Sequence, residues 1–394
     1  MISKKTFYIT IISISVVFLS AFIFLNATSN TTLYRSASPE DISLVSQNDV
    51  NRAQDDITNS RRNIITKAVE IVSPAIVGIN VTEIQKYRNP FSTLFDDPFF
   101  RQFFGNSGST NRKVQSLGSG YVISPDGYIV TNDHVAGNAT EITVTMTNGS
   151  HHQAKLIGTD PVSDICLLKI DGDNYPYVQL GNSDDIIIGE WVIALGNPFG
   201  LFELNDKPTV TVGVISAVGM NLEPISDRYY INMIQTDAAI NGGNSGGALV
   251  NSLGDVIGMN TLIYTAGTQG NIGLGFAIPI NKVKKIVTEL KEKGKIDRDF
   301  QIGMSIQSID EGIAKYYDLD NNKGVIITKI IPNSPADKAG LKAGDLITEI
   351  DGYKINNEQT IFGVFQEFRA GQEISVEVIR DKSELTCEMK LDKK

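Results

Sequence analysis

The sequence predicts an all-β protein built from antiparallel strands, arranged as a sandwich or a barrel. Between Gly118 and Ile278, short apolar or alternating runs follow one another, separated by Gly, Asn and Asp and without helical patterns between them. Within that region Asn148-Gly149 is a strong hairpin-turn signal. A chain of 394 residues with 35 glycines and 41% hydrophobic residues suits a globular, strand-rich protein of two domains.

The chain begins with a segment whose composition predicts a membrane-spanning helix. Phe7–Leu25 carries no charge, follows two lysines and is long enough to cross a bilayer as a helix. The lysines should stay in the cytoplasm, which places the remaining chain on the outer side of the membrane. A cleaved signal peptide ending near Ala27 is the alternative for residues 1–27. The polar residues 28–62 predict a flexible linker.

Charge, cysteine content and the motifs that are missing argue against particular partners and cofactors. The net charge of −10 argues against a nucleic-acid partner, which would require a basic face. The two cysteines, Cys166 and Cys387, lie in apolar, strand-like runs, which predicts buried free thiols rather than a disulfide. No metal-ligand spacing and no ATP-binding motif occurs, so we expect neither a metal nor another cofactor.

Local patterns predict the elements of the larger domain in order. The clearest strands are expected at residues 128–131, 142–146, 165–170, 191–195 and 212–216. Two adjacent histidines after the hairpin signal, His151 and His152, are expected in a solvated loop. A closing helix follows, because apolar residues recur at helical spacing from Ile280 to Leu290; Asn281 is expected to cap it and Gly294 to end it.

The stretch Asn241–Gly247 has the composition of a nucleophile turn around Ser245. A serine attacks at neutral pH only when a base removes its proton and donors stabilise the oxyanion that forms. Glycines on both sides of Ser245 allow a tight turn, in which the amides of Gly243 and Ser245 would form the oxyanion hole. Taken alone the motif could equally be a glycine-rich turn, so a base and an orienting acid must be found elsewhere.

Two other residues supply that base and that acid. His134 follows a predicted strand, and Asp164 precedes a very apolar one; either alone would be read as structural. Their order in the chain, His, Asp and then Ser, is that of chymotrypsin-type barrels. His134 would accept the Ser245 proton and return it to the leaving amine, while Asp164 would orient the ring and stabilise the imidazolium.

Seven motifs in the right order resemble the HtrA/Deg serine proteases over nearly the whole chain. They are Gly118-Ser119-Gly120, Thr131-Asn132-Asp133-His134-Val135, Ser163-Asp164-Ile165, Gly196-Asn197-Pro198-Phe199-Gly200, Gln235-Thr236-Asp237-Ala238, Gly243-Asn244-Ser245-Gly246-Gly247 and Gly275-Phe276-Ala277-Ile278-Pro279. The resemblance implies a chymotrypsin-like protease domain at residues 63–298, with two six-stranded barrels and the site in the cleft between them. It also implies a homotrimer, to which the phenylalanine-rich stretch 89–105 would contribute, and a specificity pocket near Ile240 and Ile263 for small or medium apolar side chains.

The C-terminal residues 299–394 resemble a single α+β PDZ domain. The resemblance lies in Pro335–Asp345 followed by Asp351-Gly352, with strands expected at 325–330, 346–350, 374–379 and 385–389 and a helix near 358–368. It implies that Gln301-Ile302-Gly303-Met304 holds the terminal carboxylate of a peptide that adds as a strand. The alternative is a small β domain used only for packing.

These features together predict an ATP-independent extracytoplasmic serine endopeptidase. It would act in the periplasm, anchored to the inner membrane by residues 7–25, on unfolded or misfolded proteins or on a regulatory membrane protein in a stress response. The alternative is a non-proteolytic chaperone or peptide sensor that uses the cleft and the PDZ groove. One departure from the family concerns Asp133, which is acidic beside His134; strand alternation is expected to point it away from the cleft. If it approached His134 instead, it would favour the imidazolium and shift the pH dependence.

Overall fold

The structure is a computed structural model that describes residues 62–85, 112–197, 202, 206–263, 273–319 and 321–394. The predicted membrane segment, nearly all of the predicted linker and the stretch 89–105 lie outside these residues. No helix within the described ranges is long and apolar enough to cross a membrane.

The first folded unit is a closed six-stranded barrel preceded by one short helix. In helix α1 (Ile64–Val72), the Asn63 side chain accepts a hydrogen bond from the Thr66 N–H and so caps the first turn. The strands are β1 (Ile76–Gln85), β2 (Arg112–Val122), β3 (Tyr128–Thr131), β4 (Glu141–Met146), β5 (His151–Asp160) and β6 (Ile165–Ile170). They pair antiparallel in the order β1-β2-β3-β6-β5-β4, and β4 pairs back to β1.

The turn between β4 and β5 is the predicted hairpin at Asn148-Gly149. Gly149 has φ +79°, a conformation that side chains other than glycine rarely adopt. The Asn148 carboxamide oxygen accepts from the Ser150 N–H, which completes the turn within the loop. The next strand therefore begins at His151, and the expectation that both histidines lie in a loop was wrong.

A second closed barrel of six antiparallel strands follows. Its strands are β7 (Trp191–Gly196), β8 (Thr209–Met220), β9 (Met233–Thr236), β10 (Ala248–Asn251), β11 (Val256–Ile263) and β12 (Gly275–Pro279). The order is β10-β11-β12-β9-β8-β7, and β7 pairs back to β10. All five clearly patterned strands of the sequence are present, and the two six-stranded barrels implied by the family resemblance are confirmed.

Helix α2 (Asp133–Ala136) lies within the first barrel, and helix α3 (Ile280–Lys293) closes the second. Buried apolar residues at helical spacing, including Val283, Ile286 and Leu290, pack α3 into the core that it shares with the first barrel. Gly294 adopts φ +70° and donates to the Leu290 carbonyl, so the predicted stop is confirmed. The predicted cap was wrong: the helix starts at Ile280, directly after the extended Pro279.

The C-terminal unit contains a six-stranded sheet, a two-stranded sheet and three short helices. Its strands are β13 (Phe300–Gln301), β14 (Met304–Ser308), β15 (Val325–Ile330), β16 (Leu346–Ile350), β17 (Tyr353–Lys354), β18 (Glu373–Arg380), β19 (Ser383–Lys390) and β20 (Asp392–Lys393). Its helices are α4 (Glu311–Tyr317), α5 (Pro335–Lys338) and α6 (Glu358–Phe365). Each helix begins after an Asp, Ser or Asn whose side chain accepts from a first-turn amide.

The main sheet of this unit runs β14-β15-β16-β18-β19, with β17 on β16. Strand β14 is therefore an edge strand, paired only with β15 among the described residues. The unit packs against the barrels through apolar and ionic contacts. Ile231, from the loop between β8 and β9, belongs to its core, and Arg298 forms a two-bond ion pair with Asp160, both at 2.7 Å.

Candidate active site

The first barrel places His134 on helix α2. Strand β3 ends at Thr131, and Asn132 takes an extended conformation (φ −75°, ψ 149°) that turns the chain into the helix. The Asn132 side chain donates to the Asp164 carbonyl oxygen at 2.9 Å, which ties this turn to the β5–β6 connection. The side chain of His134 is 25% exposed, so part of the ring is accessible to solvent.

Asp164 lies in the turn between β5 and β6 and is fully buried. Its φ of +58° is left-handed, a region that Asp tolerates better than most residues and that is often held under strain at functional sites. Its Oδ1 accepts from the His134 backbone N–H at 3.0 Å, and its Oδ2 lies 2.8 Å from His134 Nδ1. The structure therefore brings together two of the three residues that the sequence assigned to the triad, with the ring oriented by the carboxylate.

Three further side chains reach the Asp164 carboxylate. The Thr261 hydroxyl donates to Oδ2 at 2.8 Å, the Tyr230 hydroxyl donates to Oδ2 at 3.3 Å, and Arg228 donates to Oδ1. Burial by itself would raise the pKa of Asp164, but the His134 ring and the Arg228 guanidinium hold that pKa below its ordinary value. The carboxylate is thus kept ionised in a dry site.

Ser119 anchors the loop that carries Ser245. The Ser119 N–H donates to the Ser245 carbonyl at 2.9 Å, and its hydroxyl donates to the Gly243 carbonyl at 2.5 Å. Gly243 and Gly246 have φ of +89° and +82°, so the predicted need for glycines on both sides of the serine is confirmed. Among the described residues, no acceptor takes the N–H of Gly242, Gly243 or Ser245, whereas those of Asn244, Gly246 and Gly247 are bonded.

The Ser245 hydroxyl donates to the Thr261 carbonyl oxygen at 3.1 Å. Within the described part of the chain there is no hydrogen bond between Ser245 and His134. Thr261 contacts both Asp164 and Ser245, because its hydroxyl donates to the Asp164 carboxylate while its carbonyl oxygen accepts from the Ser245 hydroxyl. Rotation about the Ser245 χ1 angle between staggered positions is the movement that would redirect its hydroxyl.

The strand expected at Asp133 was wrong. This residue lies in the first turn of a helix rather than in a strand, so alternation does not apply, and its side chain is buried. Arg228 donates to its Oδ2 at 2.7 Å, and the Thr159 hydroxyl donates to its Oδ1 at 2.5 Å. Sequence reasoning also missed Arg228, Tyr230 and Thr261. Only a buried hydroxyl within the apolar β11 could have singled out Thr261, and no local signal marked the other two.

Comparisons with known proteins agree with this geometry. A family model described as a trypsin-like peptidase domain matches residues 118–259, and one described as a PDZ domain matches residues 301–391. A probable periplasmic serine endoprotease, DegP-like, of Ectopseudomonas mendocina (strain ymp) is 40% identical over 332 residues, or 81% of this chain and 68% of the relative. The chain belongs to the HtrA/Deg family of serine proteases.

Other members of the HtrA/Deg family are similar over the same region. A protein of the same description from Marinomonas sp. (strain MWYL1) is 40% identical over 342 residues, covering 83% of this chain and 71% of that protein. A solved structure of the HtrA-type protease AlgW with a decapeptide is 35% identical, with a TM-score of 0.60, and covers 84% of this chain and 99% of that one. The resemblance inferred from the seven motifs is therefore confirmed.

The predicted specificity pocket of this HtrA/Deg chain is described only in part. Ile240 is 1% exposed and packs in the apolar interior of the second barrel with Val192, Ala194 and Ile215. A side chain on Gly275 would come within 2.9 Å of Ile240 Cδ1, so this glycine gives Ile240 its space. The side chain of Ile263 lies outside the described residues, and the assignment of the pocket stays a prediction.

The predicted carboxylate loop of the PDZ domain leads into the edge strand β14. Gly303 has φ +83°, and its carbonyl accepts from the Ile331 N–H at 2.8 Å. The Ile302 carbonyl accepts from the Ala336 N–H at 3.0 Å, so the loop is fixed by the start of α5. Gln301 ends β13, and Met304 begins β14. The four residues thus adjoin an open strand edge, where a peptide could add as a further strand.

Proposed function

We propose that this HtrA/Deg chain is an ATP-independent serine endopeptidase whose catalytic triad is His134, Asp164 and Ser245. The observation that carries the proposal is the buried Asp164 carboxylate, which holds the His134 ring 2.8 Å from Oδ2 while Thr261 connects it to the Ser245 hydroxyl. The chain retains every member of the triad, so the alternative of a non-proteolytic chaperone or peptide sensor is not favoured.

The chemistry is acyl transfer. Once the Ser245 hydroxyl turns from the Thr261 carbonyl to His134, Nε2 removes its proton as Oγ attacks the scissile carbonyl. Asp164 stabilises the imidazolium that forms, and the amides of Gly243 and Ser245 donate to the oxyanion. The imidazolium then protonates the leaving amine, and a water molecule activated by His134 hydrolyses the acyl-enzyme.

The proposal includes a periplasmic location and a two-domain organisation. Relatives named periplasmic serine endoproteases support the location. We assign residues 63–298 to the protease and 299–394 to the PDZ domain, which would bind C-terminal peptides, and we expect a homotrimer. Residues 1–27 act as a membrane anchor or as a cleaved signal peptide, joined by the linker 28–62. General degradation of misfolded envelope proteins and regulatory cleavage of a membrane protein both remain compatible with the site.

Casein degradation tests the enzymatic proposal. The full-length chain, purified in mild detergent, should degrade casein, and Ser245→Ala should not. A fluorophosphonate probe, which reacts with activated serines, should label only the wild-type chain. Equal degradation of casein by both proteins would refute the assignment of Ser245.

Two further tests address the PDZ domain and the N-terminus. A fluorescent peptide ending in a free carboxylate should bind more tightly than its C-terminal amide, and equal affinity would contradict the predicted carboxylate loop. Washing membranes with alkaline carbonate should leave an anchored chain in the pellet. Release of the chain into the supernatant would exclude the anchor and favour the signal peptide.

A further inference from the structure

Two carboxylates and one guanidinium are buried together behind His134. The side chains of Asp133, Arg228 and Asp164 are 4%, 5% and 0% exposed. Arg228 Nη2 lies 2.7 Å from Asp133 Oδ2, and Nη1 donates to Asp164 Oδ1. One guanidinium therefore bridges both carboxylates, which would otherwise repel each other in a medium that screens charge weakly.

The backbone holds all three groups in place. Asp133 precedes His134 on helix α2, and Asp164 is fixed by its bond to the His134 amide. Arg228 comes from the loop between β8 and β9, where its N–H and carbonyl form a closed pair of bonds with Ile225, both at 3.1 Å. The adjacent Tyr229 N–H donates to the Val162 carbonyl at 2.9 Å, which fastens this loop to the β5–β6 connection.

The net charge of the Asp133, Arg228 and Asp164 side chains decides their effect on the His134 ring. A guanidinium bonded to Asp164 alone would cancel the negative charge that stabilises the imidazolium during the reaction. Asp133 supplies a second negative charge to the same guanidinium, so the three groups together carry a net charge of −1. His134 therefore faces the same net charge that a solitary carboxylate would provide.

Among the described residues, the hydroxyl and thiol groups beside the cluster add no charge to it. Burial raises the pKa of Tyr230, which donates to Asp164, and the pKa of the Cys166 thiol, so both are neutral at physiological pH. Thr159 and Thr261 contribute hydroxyls, one to each carboxylate. Burial raises the pKa of Asp133, and the charge of Arg228 and the hydrogen bond from Thr159 oppose that rise.

We propose that Asp133 and Arg228 are positioning residues for the reaction, a charge-neutral pair that holds Asp164 against His134 while preserving the negative charge that the imidazolium requires. The inference rests on the proposed peptidase function. The pair acts through its bond to Asp164 and through the charge that it presents to His134, so its removal changes the titration of His134 as well as the rate.

The test is the pH at which His134 takes up its proton. The chain has only three histidines, so ¹³C-labelled imidazole signals of the full-length Ser245→Ala protein in detergent can be assigned by comparison with a variant that also lacks His134. In Asp133→Asn the Arg228 guanidinium neutralises the Asp164 carboxylate. The pH at which His134 is half protonated, its midpoint, should therefore fall by about one pH unit. Adding Arg228→Gln to Asp133→Asn removes the cation as well, and the midpoint should return to that of the parent.

Two results would refute the inference. Identical midpoints in the parent, Asp133→Asn and the double variant would overturn the charge balance and leave the cluster a purely structural one. Should Asp133→Asn fail to fold, Arg228→Lys and Arg228→Gln provide the second comparison. The lysine should keep the parent midpoint and the glutamine should raise it, and equal midpoints for these two would also refute the inference.

Activity separates this inference from the proposed function. In the Ser245-containing protein, the acid limb of kcat/KM for casein-derived peptides should follow the same shifts as the imidazole signals. If the wild-type chain is active but the variants have the same His134 midpoint as the parent, only this inference is refuted. If the wild-type chain neither cleaves the peptides nor reacts with the fluorophosphonate probe, the proposed function is refuted, whatever the imidazole signals show.

Discussion

Gly246→Ala should disable the site by moving Ser245 rather than by changing any reacting group. A Cβ atom at Gly246 would lie 2.2 Å from the Ser119 carbonyl oxygen and 2.3 Å from Thr131 Oγ1. These two atoms belong to the first barrel and are bonded to each other at 2.7 Å, so neither is a flexible end that can swing aside. The nucleophile turn therefore docks against the first barrel only because residue 246 has no side chain.

The geometry sets the size of the effect. Carbon–oxygen contacts under 3.0 Å essentially never occur for a Cβ atom, so the turn must retreat from 2.2 Å to about 3.0 Å, a displacement of about 0.8 Å. A misplacement of about 1 Å between reacting groups costs about 100-fold in rate. The left-handed backbone, with φ +82°, adds about 1–2 kcal/mol of strain for alanine.

Gly149→Ala is the matched control, because it has almost the same φ of +79° and nothing within 4 Å of the added methyl group. It should lose stability to the same backbone strain and keep its activity. The assay is kcat/KM on a chromogenic peptide with a small apolar residue at the cleavage position, with thermal unfolding followed by circular dichroism. If Gly246→Ala unfolds at the same temperature as Gly149→Ala and cleaves as fast, the proposed docking of the nucleophile turn is wrong.

Three further predictions follow from the buried polar contacts. Thr261→Val removes a donor from the Asp164 carboxylate and should destabilise the fold by about 1.5–3 kcal/mol, as measured by denaturant titration, whereas Thr261→Ser should behave as wild type. Because the folded pKa of Asp164 is held below its ordinary value, its contribution to stability is complete above about pH 4 and is lost as pH falls through the folded pKa. The free energy of unfolding of Ser245→Ala, measured by denaturant titration, should therefore fall as pH decreases below about 4, and a free energy that does not change with pH there would contradict this. Asp160→Asn removes the carboxylate that pairs with the Arg298 guanidinium at the junction with the PDZ domain, which should lower the free energy of unfolding by about 3 kcal/mol. Trypsin should then cleave the junction faster, and an unchanged rate of cleavage would exclude a role for this ion pair in docking.

The outcome at Asp133 illustrates why some of the site could not be predicted. Alternation in a strand would have pointed its side chain away from the cleft, but the chain turns into a helix at Asn132, one residue earlier. A four-residue helix is too short to leave a periodic pattern in the sequence. Its partner Arg228 lies far along the chain, in a loop without regular secondary structure, so no spacing rule joins the two.

The sequence by itself predicted the family, the all-β barrels and the triad proposed at His134, Asp164 and Ser245, because strand alternation, glycine turns and motifs can be read directly along the chain. Only the tertiary structure decided which side chains surround the Asp164 carboxylate and that the Ser245 hydroxyl donates to the Thr261 carbonyl. Both depend on how the two closed barrels and the β8–β9 loop dock against one another. Docking brings together residues from distant parts of the chain, and the free energy of a buried charge depends on all of its neighbours at once.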